Sequence, residues 1–134
     1  MRQRLYNSDH PDIAVSLNNV GYSYGELKDS KKALEYKLKA LEMRQRLYDC
    51  DHPDISMSYS YVGCTYSQLN DNTKALEYQL NALEMYQRLY DYDHPEIVGS
   101  LNNIGGCYSK LNDYNTDLEY KLLALEMRQR LYNF

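Results

Sequence analysis

The chain has 134 residues, with 15 Lys and Arg against 19 Asp and Glu, so its formal net charge is −4 at pH 7. This acidic balance gives no electrostatic reason to approach a phosphate backbone, which nucleic-acid-binding proteins contact with clustered positive charge. No segment has the ~20 consecutive apolar residues of a membrane span, and none has the arrangement of a secretion signal. These features predict a soluble cytoplasmic protein that binds neither nucleic acid nor membranes.

The sequence repeats with a period of 42 residues, because the hexapeptide at residues 1–6 returns nearly unchanged at residues 43–48, 85–90 and 127–132. A fixed period of this size is typical of stacked structural repeats rather than of one undivided core. We therefore predict a single repeat domain over residues 1–134. Its expected parts are the end of a preceding helix and three repeats, at residues 1–8, 9–50, 51–92 and 93–134.

Each repeat opens on the tripeptide Asp-His-Pro, at residues 9–11, 51–53 and 93–95. Asp is a favoured N-cap residue and Pro is tolerated in a first helical turn, so the tripeptide predicts the start of a helix, named helix A, with Asp as its N-cap. Apolar residues follow at spacings of four and three, which in the first repeat are Ile13, Leu17, Val20, Tyr24 and Leu27. This stripe predicts the buried face of helix A.

A second helix, named helix B, is predicted after a short polar turn in each repeat. The turn contains Asp29, Asp71 or Asp113, which can cap a helix, and its shortness predicts an antiparallel hairpin of helices A and B. Helix B carries two apolar seams, so we expect it to be covered both by its own helix A and by the next repeat. On its solvent side, Glu42 precedes Arg46 by one turn, which predicts an ion pair.

Five residues of the first repeat stand at the signature positions of a known repeat, namely Leu17, Gly21, Tyr24, Ala33 and Ala40. The sequence resembles the tetratricopeptide repeat (TPR) family. The usual TPR has about 34 residues, and the surplus here extends helix B, which is similar to the longer repeats of kinesin light chains. The resemblance implies an all-α fold, a right-handed α-solenoid of antiparallel helix hairpins, and the binding of short peptides from partner proteins.

Two positions depart from the family pattern. Lys37, Gln79 and Lys121 occupy a position that is usually a large aromatic residue in the family, and Asp117 replaces a small residue. The first position lies between the two apolar seams of helix B. We therefore expect the stems of the two lysines to be buried and their ammonium groups to reach local carboxylates, with a functional polar seam as the alternative.

No group of residues indicates catalysis or a bound metal. His10, His52 and His94 are equivalent in successive repeats, about 10 Å apart, so they cannot share one metal ion and are expected at helix starts. No Ser or Cys nucleophile is paired with a His base. We therefore predict no enzyme activity, no cofactor and no metal site.

The three cysteines, Cys50, Cys64 and Cys107, have no spacing typical of a disulfide framework or a zinc site, so we expect structural thiols. Cys64 and Cys107 are 43 residues apart, one residue out of the repeat register. This spacing predicts that their side chains point in different directions.

The arginines near the ends of the B helices allow two interpretations. A basic strip for an acidic partner is one of them. The other, which we favour, is that they are solvated helix C-termini, each with an acidic residue one turn earlier. The residues concerned are Arg2, Arg4, Arg44, Arg46, Arg88, Arg128 and Arg130.

The side of helix A turned away from its buried stripe lines the concave face in the TPR family and is the predicted binding surface. Asn amides can satisfy the backbone of an extended peptide whatever its sequence, and Tyr and Met add apolar contact. The predicted peptide-binding residues are Val15, Asn18, Asn19, Tyr22, Met57, Ser60, Tyr61, Cys64, Gln68, Asn102, Asn103 and Lys110. Because Lys110 is the one cation in this set, the carboxylate clamp of some family members is not expected. A merely solvated inner face is the alternative.

The ends of the array predict self-association into a homo-oligomer by head-to-tail or end-to-end stacking. The last helix is expected over residues 114–132, and its apolar seam is one that a following helix A covers in the earlier repeats. The predicted contact residues are Leu118, Leu122, Leu125, Tyr132, Ile13 and Leu17. The sequence thus predicts a non-catalytic protein-protein interaction scaffold, with a structural or self-assembling repeat segment as the alternative.

Overall fold

The computed structural model describes residues 9–133, and within this range it contains six α-helices and no strand. They are α1 (Pro11–Glu26), α2 (Ser30–Leu47), α3 (Pro53–Gln68), α4 (Asn72–Leu89), α5 (Pro95–Lys110) and α6 (Tyr114–Tyr132). Helices α1, α3 and α5 each form a hairpin with the next helix, and the hairpins stack in chain order. The predicted all-α solenoid is confirmed. Residues 1–8, predicted to end a preceding helix, lie outside the described residues.

The turn inside each hairpin is closed by a residue in the left-handed conformation. Lys28, in the first turn, has a φ of 67°, and its equivalents in the other two turns have similar values. The amide of Asp29 donates to the carbonyl of Tyr24 at 2.9 Å, which is the closure of a Schellman motif. Asp29 then caps α2 with its side chain, and Asp71 and Asp113 cap α4 and α6 in the same way, as predicted.

The Asp-His-Pro tripeptides begin the A helices, but the histidine, and not the predicted aspartate, is the N-cap residue. The Nδ1 atoms of His10 and His52 accept a hydrogen bond from the amide two residues later at 3.0 Å, and that of His94 does so at 3.1 Å. The following Pro holds the histidine backbone extended, which turns its ring over the first turn. The rings of His52 and His94 also stack on Tyr48 and Tyr90, with centroids 3.7 Å apart.

The aspartate of each tripeptide instead binds an arginine near the C-terminus of helix B in the same hairpin. Arg46 donates from Nε and Nη2 to the two carboxylate oxygens of Asp9, at 2.8 and 2.9 Å. The other hairpins repeat this geometry, between Arg88 and Asp51 and between Arg130 and Asp93. The antiparallel hairpin places the end of helix B beside the start of helix A, so Asp9 takes the place of Glu42, the predicted partner of Arg46.

The arginines therefore do not form a free basic strip. Three of them are paired with aspartates, and Arg44 is only 5% exposed, because it donates to the Asp54 carbonyl at 3.1 Å and to Ser58 Oγ at 3.0 Å. Arg2 and Arg4 lie outside the described residues. Arg46, Arg88 and Arg130 are therefore paired helix ends, as the favoured interpretation states. Their partner is the aspartate of the tripeptide and not the acidic residue one turn earlier.

The two helices of each hairpin meet at a glycine of helix A. A Cβ atom added to Gly63 would lie 2.9 Å from Gln79 Nε2 and 3.2 Å from the Ala75 carbonyl oxygen, and Gly21 and Gly105 are as tightly covered. A tyrosine pair also stacks within each hairpin, with ring centroids 5.5 to 5.7 Å apart, as Tyr24 and Tyr36 do. The glycines are therefore required by close packing of helices A and B.

The predicted buried stripe of helix A is buried in α3 and α5 but not in α1. Ile55 and Val62 are 4% and 0% exposed and pack with Leu41 of α2. Their equivalents Ile13 and Val20 are each 39% exposed. In the described residues, Ile and Val of this stripe are therefore buried only where a helix B packs on them, and Ile13 lies at the end of the array, where the sequence predicted an uncovered surface. No helix within residues 9–133 is long and apolar enough to span a membrane.

The glycine contact predicts opposite effects of the same substitution at two positions. Gly63→Leu should lower the free energy of unfolding, because overpacking costs ~1–3 kcal/mol and exceeds the ~1 kcal/mol gain in helix propensity. Gly99→Leu is the matched control in α5, where an added Cβ meets nothing within 4 Å, and it should be neutral or stabilising. Urea denaturation followed by circular dichroism measures both, and a Gly63→Leu variant more stable than the parent would contradict this packing.

The Asp–Arg pairs predict a loss of stability in acid. Hydrogen bonds from Arg46, Arg88 and Arg130 hold the pKa values of Asp9, Asp51 and Asp93 below the ordinary 3.8. Because the folded-state pKa is lowered, this stabilisation is present above the unfolded-state pKa and is lost as the pH falls through the folded-state value.

Asp51→Asn should therefore reduce the denaturation midpoint in urea at pH 7 and reduce it less at about pH 2, because protonation of the carboxylate weakens its pairing with Arg88. Asp49→Asn, an exposed aspartate in the same loop, is the control and should have little effect at either pH. An equal loss for Asp51→Asn at both values would mean that the carboxylate charge is unimportant.

Candidate functional site

The A helices lie side by side, and residues 43 positions apart face each other across them. Asn103 Nδ2 of α5 donates to Ser60 Oγ of α3 at 3.3 Å, and Lys110 Nζ donates to Ser67 Oγ across the same interface. The contact register between A helices is therefore one residue longer than the sequence period, because neighbouring helices are rotated relative to each other.

This register corrects the prediction for two cysteines. Cys64 and Cys107, also 43 residues apart, line one depression instead of pointing in different directions. Cys64 is exposed and Cys107 is buried, and burial raises the pKa of the Cys107 thiol. Within residues 9–133, all three cysteines are free thiols.

Three adjoining depressions run along α1, α3 and α5, and together they are called the A-helix groove. The first, of about 290 Å³, is lined by Asn18, Asn19, Tyr22, Lys37 and Tyr61. The second, of about 230 Å³, lies between α3 and α5 and shares Tyr61 with the first. The third, of about 190 Å³, shares Asn103 with the second. The shared residues make the groove continuous over all three A helices.

The groove collects most of the predicted peptide-binding residues. Those in its walls are Asn18, Asn19, Tyr22, Met57, Ser60, Tyr61, Cys64, Asn102, Asn103 and Lys110. Val15 and Gln68 are exposed but line none of the three depressions. A role of this surface in peptide binding stays a prediction at this point.

A hydrogen-bonded chain connects the groove to helix B in the second hairpin. Ser60 Oγ donates to Gln79 Oε1 at 3.1 Å, and Gln79 Nε2 donates to the Ser60 carbonyl at 3.1 Å and to Cys64 Sγ at 3.5 Å. Gln79 is only 2% exposed, so these bonds satisfy both ends of a buried amide. The polar residue at the usually aromatic position is therefore part of the wall of the groove.

The first hairpin has no such network. Asn18 is the equivalent of Ser60, is 9% exposed, and its Oδ1 atom has no hydrogen-bond partner in the described part of the chain. A buried acceptor left unpaired costs about 1–3 kcal/mol. Asn18 lines the first depression, but its unpaired Oδ1 atom is buried beneath that surface.

Lys37 is a groove residue that the sequence analysis did not place there. Its Cγ packs where a side chain of Gly21 would lie, so the lysine of α2 reaches the groove on the far side of α1. Burial lowers the pKa of Lys37. Lys121 has the expected local carboxylate, Asp117, at 3.1 Å, whereas Lys37 has no carboxylate within ion-pair distance in residues 9–133. In the sequence, this placement could have been recognised from the polar residue of helix B that faces a helix A glycine in every hairpin.

The second depression contains two further residues that the sequence analysis did not name. Tyr86 of α4 and Glu96 of α5 line it together with Asn103. Tyr86 is 3% exposed, and its burial raises the pKa of its hydroxyl group. Within residues 9–133, no three His, Cys, Asp or Glu side chains converge as metal ligands.

The sequence model of the tetratricopeptide repeat matches residues 1–45, 23–79 and 69–130. The chain belongs to the tetratricopeptide repeat family. Its six described helices are therefore three TPR-type hairpins, and the groove lies on the A helices of these TPRs. No curated protein sequence is significantly similar to the chain.

Several solved TPR structures share the fold. BtubC (BKLC) from P. vanneervenii is 22% identical, with a TM-score of 0.84 over 91% of this chain and 49% of that one. A putative kinesin light chain from Podosopora anserina with nearly identical TPR-like repeats is 14% identical, with a TM-score of 0.81 over 93% and 59%. The TPR domain of Arabidopsis FLU is 19% identical, with a TM-score of 0.76 over 87% and 95%. This chain spans about half to three fifths of the first two, and such identities show the fold alone.

The groove geometry predicts an order of thiol reactivity. Cys64 and Cys50 should be alkylated by iodoacetamide at least several-fold faster than Cys107, because Cys107 is buried and its raised pKa reduces the thiolate fraction. Timed alkylation followed by peptide mass spectrometry measures the three rates. In denaturant the rates should converge, and a Cys107 that reacts as fast as Cys64 in the folded protein would contradict the placement.

Proposed function

We propose that this TPR domain is a non-catalytic protein-protein interaction scaffold that binds an extended segment of a partner protein along the A-helix groove. The observation that carries the proposal is the continuity of the groove over α1, α3 and α5, with exposed amides and tyrosines along it. Such side chains can pair with the N–H and C=O groups of an extended backbone over several residues.

The exposed side chains of the groove suit a peptide backbone better than a particular sequence. Asn19 and Asn103 are exposed amides, and each offers a donor and an acceptor. Tyr22 and Tyr61 are 63% and 38% exposed, and their rings offer apolar contact with a polar tip. An extended segment can use all of these groups at once, because they lie along one continuous groove.

The charge of the groove favours an acidic side chain at one point of the segment. Lys37 brings a cation to the first depression without a carboxylate partner in residues 9–133, and its partial burial strengthens attraction for an anionic group. Lys110 lines the third depression instead. Because the two cations lie in different depressions, we keep the expectation that a single terminal carboxylate is not clamped.

We also propose the cytoplasm as the compartment, because the protein keeps Cys50, Cys64 and Cys107 as free thiols, which suits a reducing environment. Two of these thiols then serve as probes of binding. Cys64 lies in the groove, and Cys50 is exposed in the loop between α2 and α3.

The function is tested with peptides selected from a phage-displayed random library on the purified chain. A groove ligand should slow the alkylation of Cys64 and leave that of Cys50 unchanged. The triple substitution Asn19→Ala, Tyr61→Ala and Asn103→Ala should abolish binding of the selected peptide while the helical circular dichroism stays unchanged. Lys37→Met should weaken the binding of acidic peptides more than that of neutral ones.

The matched control is a triple alanine variant of exposed positions on the B helices, Glu35, Asn81 and Glu119, which should bind as the parent does. The proposed site would be overturned by selected peptides whose affinity is unchanged by the groove substitutions. Peptides that bind without slowing the alkylation of Cys64 would overturn it as well.

A further inference from the structure

We propose that the exposed faces of α1 and α6 bind each other between copies, so that this chain assembles head to tail through a replica of its own internal hairpin interface. The surfaces concerned lie at the two ends of the stack, apart from the A-helix groove. They present the two complementary halves of a contact that the molecule already makes between α2 and α3.

The α6 half is an apolar face without a cover. Leu118, Leu122 and Leu125 are 57%, 48% and 50% exposed. The residues equivalent to Leu125 are Leu41 of α2 and Leu83 of α4, and they are 4% and 7% exposed because α3 and α5 cover them. The same helix face is therefore buried wherever a helix A follows it.

The α1 half is the complementary face. Ile13 and Val20 are each 39% exposed, whereas the equivalent Ile55 and Val62 are 4% and 0% exposed. In the internal interface, Ile55 and Val62 form one cluster with Leu41. An α1 placed on the α6 of another copy would form the same cluster from Ile13, Val20 and Leu125.

A polar contact specifies the partner more sharply than the apolar faces do. In the internal interface, the Arg44 guanidinium is buried and donates to the Asp54 carbonyl and to Ser58 Oγ. Arg128 is the equivalent of Arg44 in α6, two periods later, and it is exposed. A buried guanidinium needs acceptors, so a purely apolar partner does not fit Arg128.

The α1 helix carries the acceptors that Arg128 needs. Asp12 and Ser16 stand one period before Asp54 and Ser58, and both are exposed. In the internal interface these acceptors are a main-chain carbonyl and a serine hydroxyl, and α1 offers both at the same spacing. Of the two junctions between described hairpins, the one with an arginine, between α2 and α3, is the one that a contact of α6 with α1 would repeat.

An aromatic contact completes the match. Tyr48 stacks on His52 at 3.7 Å and donates from its hydroxyl to Asp54 Oδ2 at 3.2 Å. Tyr132, the equivalent of Tyr48, is 73% exposed at the end of α6. His10 and Asp12 of a second copy would meet it in the same way.

A contact of this kind is heterologous and does not close by symmetry, so it produces open chains whose length rises with concentration. Residues 1–6 have the sequence of residues 127–132, so a second copy brings to α1 a segment identical to the one that precedes it in its own chain.

Sedimentation velocity and light scattering of the full chain from micromolar to millimolar concentration test the proposal. The mean mass should rise steadily beyond that of a dimer. Leu125→Lys and Ile13→Lys each place a charge on one of the two faces at an exposed position, so the fold should persist and each variant alone should be monomeric. A parent chain that stays monomeric at millimolar concentration would overturn the proposal.

Mixing the two variants separates head-to-tail contact from the alternatives. The Leu125→Lys chain keeps its α1 face and the Ile13→Lys chain keeps its α6 face, so an equimolar mixture should form a dimer of one chain of each kind and no larger species. If Leu125→Lys abolishes association and Ile13→Lys does not, two α6 faces pair isologously and the proposed contact is wrong.

The polar contact has its own variant. Arg128→Ala should raise the dissociation constant about tenfold, because a hydrogen-bonded charge is lost. Lys31→Ala, which removes an exposed cation at the start of α2, is the control and should leave association unchanged. Equal affinities of parent and Arg128→Ala would remove the arginine from the contact. Peptide selection on Leu125→Lys should succeed as on the parent, so failure of assembly and failure of groove binding are distinguishable.

Discussion

The close approach of the two helices of each hairpin at a glycine governs the rest of the structure. A Cβ at Gly21, Gly63 or Gly105 would come within 2.7 to 2.9 Å of a helix B side chain, so helix A can carry no side chain there. The helix B residue opposite, Lys37 or Gln79, then fills the gap and becomes part of the groove. A packing requirement thus decides which residue of helix B reaches the groove, and the polar residue at that position gives this groove part of its chemistry.

A second local device holds the ends of each hairpin. The histidine of Asp-His-Pro caps helix A, and in two hairpins it also stacks on a tyrosine of the preceding helix, while the aspartate binds an arginine at the end of the same hairpin. One tripeptide therefore joins three segments of chain. The histidines and most of the outer arginines have structural partners, so the A-helix groove and the two stack ends remain as the candidate binding surfaces.

The A-helix groove and the stack ends differ in the chemical groups that they offer to a partner. The groove offers amides, tyrosines and a partly buried lysine, which suit the backbone and one acidic side chain of an extended segment. The stack ends offer aliphatic faces and Arg128, which suit a packed helix with acceptors at a fixed spacing. In the two proposals, the peptide therefore occupies a surface parallel to the stack and the second copy occupies a surface across it, so binding at one would leave the other open.

The sequence by itself determined the features that arise within one repeat: the 42-residue period, the hairpin topology, the Asp caps of the B helices and the span of α6, because caps and apolar spacing act over a few residues. Tertiary structure decided the features that depend on how helices rotate against each other. The pairing of Arg46 with Asp9, the 43-residue register that brings Cys64 and Cys107 together, and the passage of Lys37 beside Gly21 join residues 16 to 43 positions apart. The burial of the stripe that contains Ile13 likewise depends on a neighbouring helix, since Ile55 of the same stripe is buried in α3 because α2 covers it.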